Sequence, residues 1–414
     1  MSTVIIGGGH GGVQVAESLR AGGYESPITI IDSCTEFPYQ RPPLSKDYMK
    51  VDYDAAPLPI RDESFYVDNN ITLLRGTTVT SIDRTAETVH SNAGPIAYEH
   101  LVIATGARPR TLSCQGADAS GVHTLKTLWD AVALKSHISE VSRVVVVGAG
   151  FIGMEFAVAA LKHDCEVTVL EFADRPMSRA LSPYTSQWFT ERYAEHGLTM
   201  RFGEGLESIE KDSSGKATAV ISTTGQRYEA DLFVVGIGVQ PNVEIADEAE
   251  LDINNGIIVD EHLRTSDPRI FAIGDCASFP PAAGGNHIRL ESVQNATDQG
   301  KHVAQEILGL EGSYTTTPWF WSTQGRYRLQ MTGVIRPDDT ITVIGDPASK
   351  KFSVLAFRDG ELVGAESVNQ PADQNIVRRL FAEDIPLYLD HALAEDFNLR
   401  SHLRNAISPA ASAA

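Results

Sequence analysis

The chain has 414 residues, a formal net charge of −20, 42% hydrophobic residues and 21% charged ones. That length supports two or three domains with cores of their own, whereas so acidic a balance argues against nucleic acid or an anionic membrane as partner, since both need a basic face. No apolar run approaches the ~20 residues that span a bilayer, and a chain that starts directly in an apolar strand carries no expected secretory signal, so a cytoplasmic location is expected.

Val4, Ile5 and Ile6 read as a buried strand running into a turn with Gly7, Gly9 and Gly12 in G-x-G-x-x-G spacing, followed by a helix over 13–21. A second strand over 28–31 ends in Asp32. This is the context in which the glycine pattern signals a bound dinucleotide rather than an ordinary turn of a parallel sheet. The first glycine makes the turn, the second lets a pyrophosphate reach the backbone, and the third lets the helix sit close to the strand. The carboxylate then takes the ribose hydroxyls. His10, inside the loop, reads as a loop residue and not as a catalyst.

Next come Pro42 and Pro43, which stiffen a turn, and Leu44, Ser45 and Lys46 are expected to enter a short helix. Arg41 and Lys46 on that turn fit either two cations placed over a cofactor or solvated charges of an exposed loop. Residues 71–104 alternate as strands through Ile71, Leu73, Val79, Ile82 and Val89, and close on Ala104, Thr105 and Gly106. Small residues there let the backbone close on the first cofactor; a crossover carrying Arg108 follows at 107–111.

The whole unit then recurs. An apolar strand over 143–147 leads into Gly148, Gly150 and Gly153, a helix over 154–163, a strand over 166–170 and the acid Glu171. Two such units suggest two dinucleotides, most simply a flavin that stays bound and a nicotinamide that delivers hydride and leaves. Glu171 favours NADH by repelling a 2′-phosphate, although Arg175 stands close enough in sequence to receive one.

Residues 231–242 read as the crossover back, and the segment through Ile273 and Gly274 puts Asp275 at the carboxyl edge of the sheet, as a ribityl ligand, a helix cap or both. A helix over 291–308 completes the first domain, a linker spans 309–317, and strands over 329–334, 340–345, 352–357 and 361–368 with a helix over 370–382 form a small α+β module. Trp319 and Trp321 open that module, as core or as cover for a flavin, and residues 408–414 are expected to be disordered. Cys34, Cys114, Cys165 and Cys276 form no C-x-x-C or C-x4-C pair, so no zinc site, disulfide framework or redox-active cysteine pair is expected.

In VIIGGGHGGV, PYQRPPLSK, ATGARPR, VVVVGAGFIGME, VTVLE, FAIGDCA, ESVQNATDQG and PWFWS, in that order, the chain resembles the FAD-dependent ferredoxin reductases of bacterial oxygenase systems over essentially its whole length. It departs where Thr323 and Gln324 follow PWFWS in place of Asp-Gln. The resemblance implies an α/β fold with two Rossmann-like nucleotide-binding domains, glutathione-reductase-like, plus a C-terminal α+β domain. The expected division is 1–110 with 236–311 for FAD, 111–235 for NAD and 312–414 for the C-terminal domain. It further implies FAD on Gly7, Gly9, Gly12 and Asp32, with Arg41, Lys46, Val79, Thr105, Gly106, Arg108, Asp275 and Val293 around it. Lys46 is implied to lie near the flavin N5, paired with Glu155, and Trp321 to lie near flavin and nicotinamide.

The implied reaction passes hydride from NADH to FAD and then single electrons to a [2Fe-2S] ferredoxin. That ferredoxin supplies a cytochrome P450 or a ring-hydroxylating oxygenase. A local basic patch is expected to meet the ferredoxin, with Arg289, Arg326, Arg328, Lys350, Lys351, Arg378 and Arg379 as candidates. A monomer or weak homodimer is expected. Rubredoxin reductase, NADH oxidase and a non-enzymatic NADH sensor resembling apoptosis-inducing factor are the alternatives.

Overall fold

The computed structural model describes residues 2–52, 58–281, 284–310 and 312–408. They form two compact units: one of Met1–Gln40, Ala56–Arg108 and Val239–Thr316, and one of Arg41–Ala55, Pro109–Gly238 and Thr317–Ala414.

Unit one is built on five parallel strands in the spatial order Ile270–Ala272, His100–Ile103, Thr3–Ile6, Ile28–Asp32, Ile71–Arg75. Thr3–Ile6 is buried at every position, as a central strand covered on both faces must be. The first helix spans His10–Ala21, three residues earlier than expected, with Gly9 as its N-cap. Glycine is a poor helix former, which hides Gly11 and Gly12 from a propensity reading although they sit inside the first turn. The antiparallel meander Val79–Asp83, Thr88–Ser91, Gly94–Ala97 leads into the return strand His100–Ile103. The helix expected over 291–308 runs Val293–Ile307, capped by the Ser292 hydroxyl.

Unit two repeats this plan. Its parallel sheet runs Thr199–Phe202, Glu166–Glu171, Arg143–Val147, Leu232–Val235, Val122–His123. It has its own meander, Leu206–Lys211, Ala217–Ser222, Arg227–Glu229, before the return strand. The helix expected over 154–163 spans Phe151–Leu161, shifted for the same reason as the first, with Gly150 as N-cap. The short helix expected to be entered through Leu44, Ser45 and Lys46 is two 3-10 turns, Pro42–Ser45 and Asp47–Met49, divided at Lys46, whose φ −122° and ψ −96° break helical geometry.

The C-terminal module of unit two is a five-stranded antiparallel sheet, in the order Trp319–Gln324, Tyr327–Gly333, Glu361–Val368, Lys351–Arg358, Thr340–Asp346. The four expected strands are there within two residues at each end; Trp319–Gln324 is an additional one. Its aromatic run gives no clear alternation, and its pairing is fixed by the tight turn at Gly325, φ 65°. Helix Pro371–Ala382 packs on this sheet. Of the tail expected to be disordered, Ser408 is described and 409–414 lie outside the described residues.

Candidate functional site

In unit one the glycine loop sits where strand Thr3–Ile6 meets helix His10–Ala21. Gly7 adopts φ 113°, and a Cβ on it would stand 2.2 Å from the Ala104 carbonyl oxygen. A Cβ on Gly12 would stand 2.0 Å from the Gly7 carbonyl oxygen. Neither position can carry a side chain. Gly9 is different: its backbone, φ −76° and ψ −173°, suits any residue, and a Cβ there would meet nothing within 4 Å. Neither conformation nor packing explains that glycine, and the open space beside it leaves room for a cradle, one that could take a group the chain does not itself supply.

Asp32 closes the cradle, its Oδ2 accepting from the Gly8 N–H and its Oδ1 from the Cys34 N–H, each at 3.0 Å. Thr105, Gly106 and Asp275 follow strands His100–Ile103 and Ile270–Ala272, so they gather at the same carboxyl edge of the sheet. The Thr105 hydroxyl donates to the Asn242 carbonyl at 2.7 Å, and Arg289 donates to the backbone carbonyl of Asp275 at 3.1 Å. Val293 opens helix Val293–Ile307, and Val79 opens its meander. Arg108 is engaged within unit one, donating to Asn242 Oδ1 at 2.7 Å and Glu244 Oε1 at 2.5 Å.

Unit two carries a second cradle of the same build. Gly148 has φ 100°, and a Cβ on Gly153 would stand 2.2 Å from the Gly148 carbonyl oxygen. Gly150, at φ −74° and ψ 176°, faces open space as Gly9 does. Glu171 takes the part of Asp32, accepting from the Ala149 N–H at 2.6 Å and the Ala173 N–H at 2.8 Å. Arg175 is turned to its own loop, donating to the carbonyls of Leu181 at 3.0 Å and Ser178 at 3.1 Å.

Lys46 and Glu155 pair at 2.8 Å, with the Glu155 side chain 3% exposed. Glu155 also accepts hydrogen bonds from Ser45 and Ser322, both at 2.5 Å. Three donors thus hold one buried carboxylate, and removal of Lys46 would leave its charge uncompensated at a cost of about 3–5 kcal/mol. The network continues through Gln324, whose side-chain N–H donates to Ser322 Oγ at 2.9 Å and whose oxygen accepts from the buried Tyr193 hydroxyl at 2.8 Å. Burial pushes the Tyr193 phenol well above its ordinary value, so it stays a neutral donor.

Ser45, Ser322, Gln324 and Tyr193 escape the sequence reading. The two serines stand next to residues it singles out, but nothing local says that they meet Glu155. Thr323, at the departure from the family pattern, lies on the exposed face of its strand, while Gln324 is buried. Trp321 is half-buried, 5.4 Å from Trp319 between ring centroids, and the Arg378 guanidinium lies 4.1 Å over the Trp319 ring. Arg41, which precedes the proline turn, is exposed. All four cysteines are free thiols. Burial foremost, and then Glu36, push the Cys34 thiol up to about 11, so it is no thiolate nucleophile at neutral pH.

Residues 1–300 match the pyridine nucleotide-disulphide oxidoreductase family and residues 319–403 the reductase C-terminal family. Rhodocoxin reductase of Rhodococcus erythropolis is 45% identical over 97% of this chain and 94% of its own length. Rubredoxin-NAD(+) reductase of Pseudomonas putida is 38% identical over 90% of this chain and 97% of its own. Among solved structures, the ferredoxin reductase for the CYP199A2 system of Rhodopseudomonas palustris superposes with a TM-score of 0.93 at 41% identity, covering 97% of this chain and 99% of that one. With two glycine cradles, an acid closing each, and these similarities along its full length, the chain belongs to the pyridine nucleotide-disulphide oxidoreductase family, on the branch of the ferredoxin reductases.

Proposed function

We propose that this chain is an FAD-dependent ferredoxin reductase that takes electrons from NADH and delivers them to a [2Fe-2S] ferredoxin serving a cytochrome P450 or a ring-hydroxylating oxygenase. The observation that carries this reading is the pair of glycines, Gly9 and Gly150, that face open space at the head of a strand-turn-helix unit. Two dinucleotides in one chain without a paired cysteine point to electrons leaving the flavin directly.

FAD is assigned to Gly7, Gly9, Gly12, Asp32, Val79, Thr105, Gly106, Asp275 and Val293, with Arg41, Lys46, Arg108 and Trp321 as further contacts. NADH is assigned to Gly148, Gly150, Gly153, Glu155 and Glu171. The three-domain division 1–110 with 236–311, 111–235 and 312–414 is kept as the functional partition. Bound FAD supplies a hydride acceptor that afterwards gives up electrons singly. The chain's own work is then orientation and charge. The helix N-termini at Gly9 and Gly150 offer backbone N–H groups to phosphates. Lys46, fixed by Glu155 and by the Pro42 carbonyl at 3.2 Å, presents a positive charge that does not have to reorganise when negative charge builds up. Glu171 accepts ribose hydroxyls and repels a 2′-phosphate, and Arg175 spends donors on its own loop, which supports NADH over NADPH.

No helix among the described residues is long and apolar enough to cross a membrane. We assign the chain to the cytoplasm, where thiols such as its four stay reduced.

An anaerobic absorbance titration with NADH, then NADPH, tests the reading. Flavin bleaching at low NADH, reversed by oxidised [2Fe-2S] ferredoxin but not by rubredoxin, is expected. Reversal by rubredoxin alone moves the function to the second relative's class. A protein that cannot be reconstituted with FAD sinks it.

A further inference from the structure

Unit one brings together three metal-ligating side chains that neither cradle uses. Helix Val293–Ile307 carries His302 and Glu306 at i and i+4, on one face. The turn ahead of strand Ile270–Ala272 brings His262 against them. Its Nδ1 donates to Glu306 Oε1 at 3.1 Å, and His302 Nε2 stands 3.8 Å from the same oxygen. The candidate ligand atoms of all three lie within 4.8 Å of one another. Ligands at 2.0–2.1 Å from a tetrahedral ion stand roughly 3.3 Å apart, so rotamer adjustments of about an ångström close the set.

The independent observation is His302 Nε2 itself. It is buried, with no hydrogen-bond partner among the described residues. Glu306 does not need it: the Arg264 guanidinium binds its Oε2 at 2.8 Å, and His262 and the Gly312 N–H, at 3.2 Å, already supply Oε1. A carboxylate held by arginine on one oxygen and turned by it toward two imidazoles is oriented as metal-site carboxylates are. Asp260 pins the turn by accepting from the N–H groups of His262 and Arg264, both at 2.9 Å. The Glu306 side chain is wholly buried and that of His302 11% exposed, while His262, 28% exposed, gives an ion its way in.

We propose that His262, His302 and Glu306 bind one divalent ion of the zinc class, which clips the 260–264 turn to helix Val293–Ile307. Two imidazoles and one carboxylate suit Zn2+ and its transition-metal neighbours and not Mg2+ or Ca2+, which prefer all-oxygen shells. Binding displaces the hydrogen that His262 Nδ1 now donates to Glu306. Arg264 adds a positive charge beside the ion, so the affinity is modest.

The test uses the FAD-loaded protein, stripped with a chelator, dialysed and titrated with Zn2+ against a chromogenic competitor. One equivalent is expected to bind at about 10 µM free ion, and the midpoint of thermal unfolding to rise by a few degrees. His302→Ala and His262→Gln should each bind at least tenfold more weakly and lose the thermal shift, with flavin content and NADH-to-dye turnover unchanged. The exposed turn at His262 keeps the second variant foldable if the first is not. Absence of saturable binding below about 100 µM, the parent's affinity retained in both variants, or an equal thermal shift from Mg2+, which would be charge screening on an acidic chain, overturns the proposal.

Discussion

Within each glycine loop, residues of one type do opposite jobs, and substitution separates them. Gly12→Ala drives a methyl to 2.0 Å from a carbonyl oxygen of the same loop, so the turn itself must move. Its expected cost is at least about 3 kcal/mol, read as lost thermal stability of the apoprotein. Gly9→Ala meets nothing in the chain, so the apoprotein should melt as the parent does. It should nevertheless retain FAD at least about tenfold more weakly, because the methyl occupies the cofactor's space. Equal loss of apoprotein stability in both variants would mean that Gly9 is structural. The spacing of these glycines is legible in sequence because the backbone alone dictates it. Of the Glu155 network only the Lys46 pair is legible, through the family resemblance, since Ser45 and Ser322 are brought to Glu155 only by the fold.

At the scale of elements, the strand-glycine-helix units are readable because a parallel strand and its turn obey local rules, while long-range anchoring is not. Helix Pro183–Glu195 goes unassigned in the sequence reading, although Ser182 and Pro183 form a cap-and-N1 signature. Its anchor lies far along the chain. Glu366, in strand Glu361–Val368, accepts from both the Ser182 N–H and hydroxyl, each at 2.6 Å. It is 1% exposed, and burial foremost raises its carboxyl above the usual range, against the Ser182 donors and Arg175, which lower it. A folded-state value above the unfolded one contributes stability that is fully present below the unfolded value of about 4.5 and is lost as pH rises through the folded value. Glu366→Gln, which cannot ionise and cannot accept from both donors, should be less stable than the parent near pH 5, and the gap should shrink as the pH is raised from there. Thermal unfolding at rising pH measures it; a gap independent of pH would show that Glu366 stays ionised when folded.

For the whole molecule the question is how a chain of net charge −20 meets a ferredoxin, a partner that is usually acidic as well. At physiological ionic strength charges beyond ~8 Å are screened, so a local patch outweighs the total. The structure narrows that patch. Arg289 belongs to unit one with its side chain 8% exposed, paired with Glu291 at 2.8 Å, so it is no docking cation. Arg379 pairs with Glu383 at 2.6 Å. Arg326 and Arg328 are exposed, two residues apart around the buried Tyr327, beside the turn that joins the first two strands of the C-terminal sheet. Reversing both to glutamate removes an attraction and adds a repulsion at each, worth together about 1–2 kcal/mol at a solvated rim. The ferredoxin KM is therefore expected to rise by roughly tenfold, with NADH oxidation by a small dye unchanged because both glycine cradles and the Lys46–Glu155 pair are untouched. Added salt should weaken ferredoxin reduction by the parent more than by the variant, since only the parent has the attraction to screen. Parallel loss in the dye and ferredoxin assays would mean that the substitutions act on the fold and not on the partner.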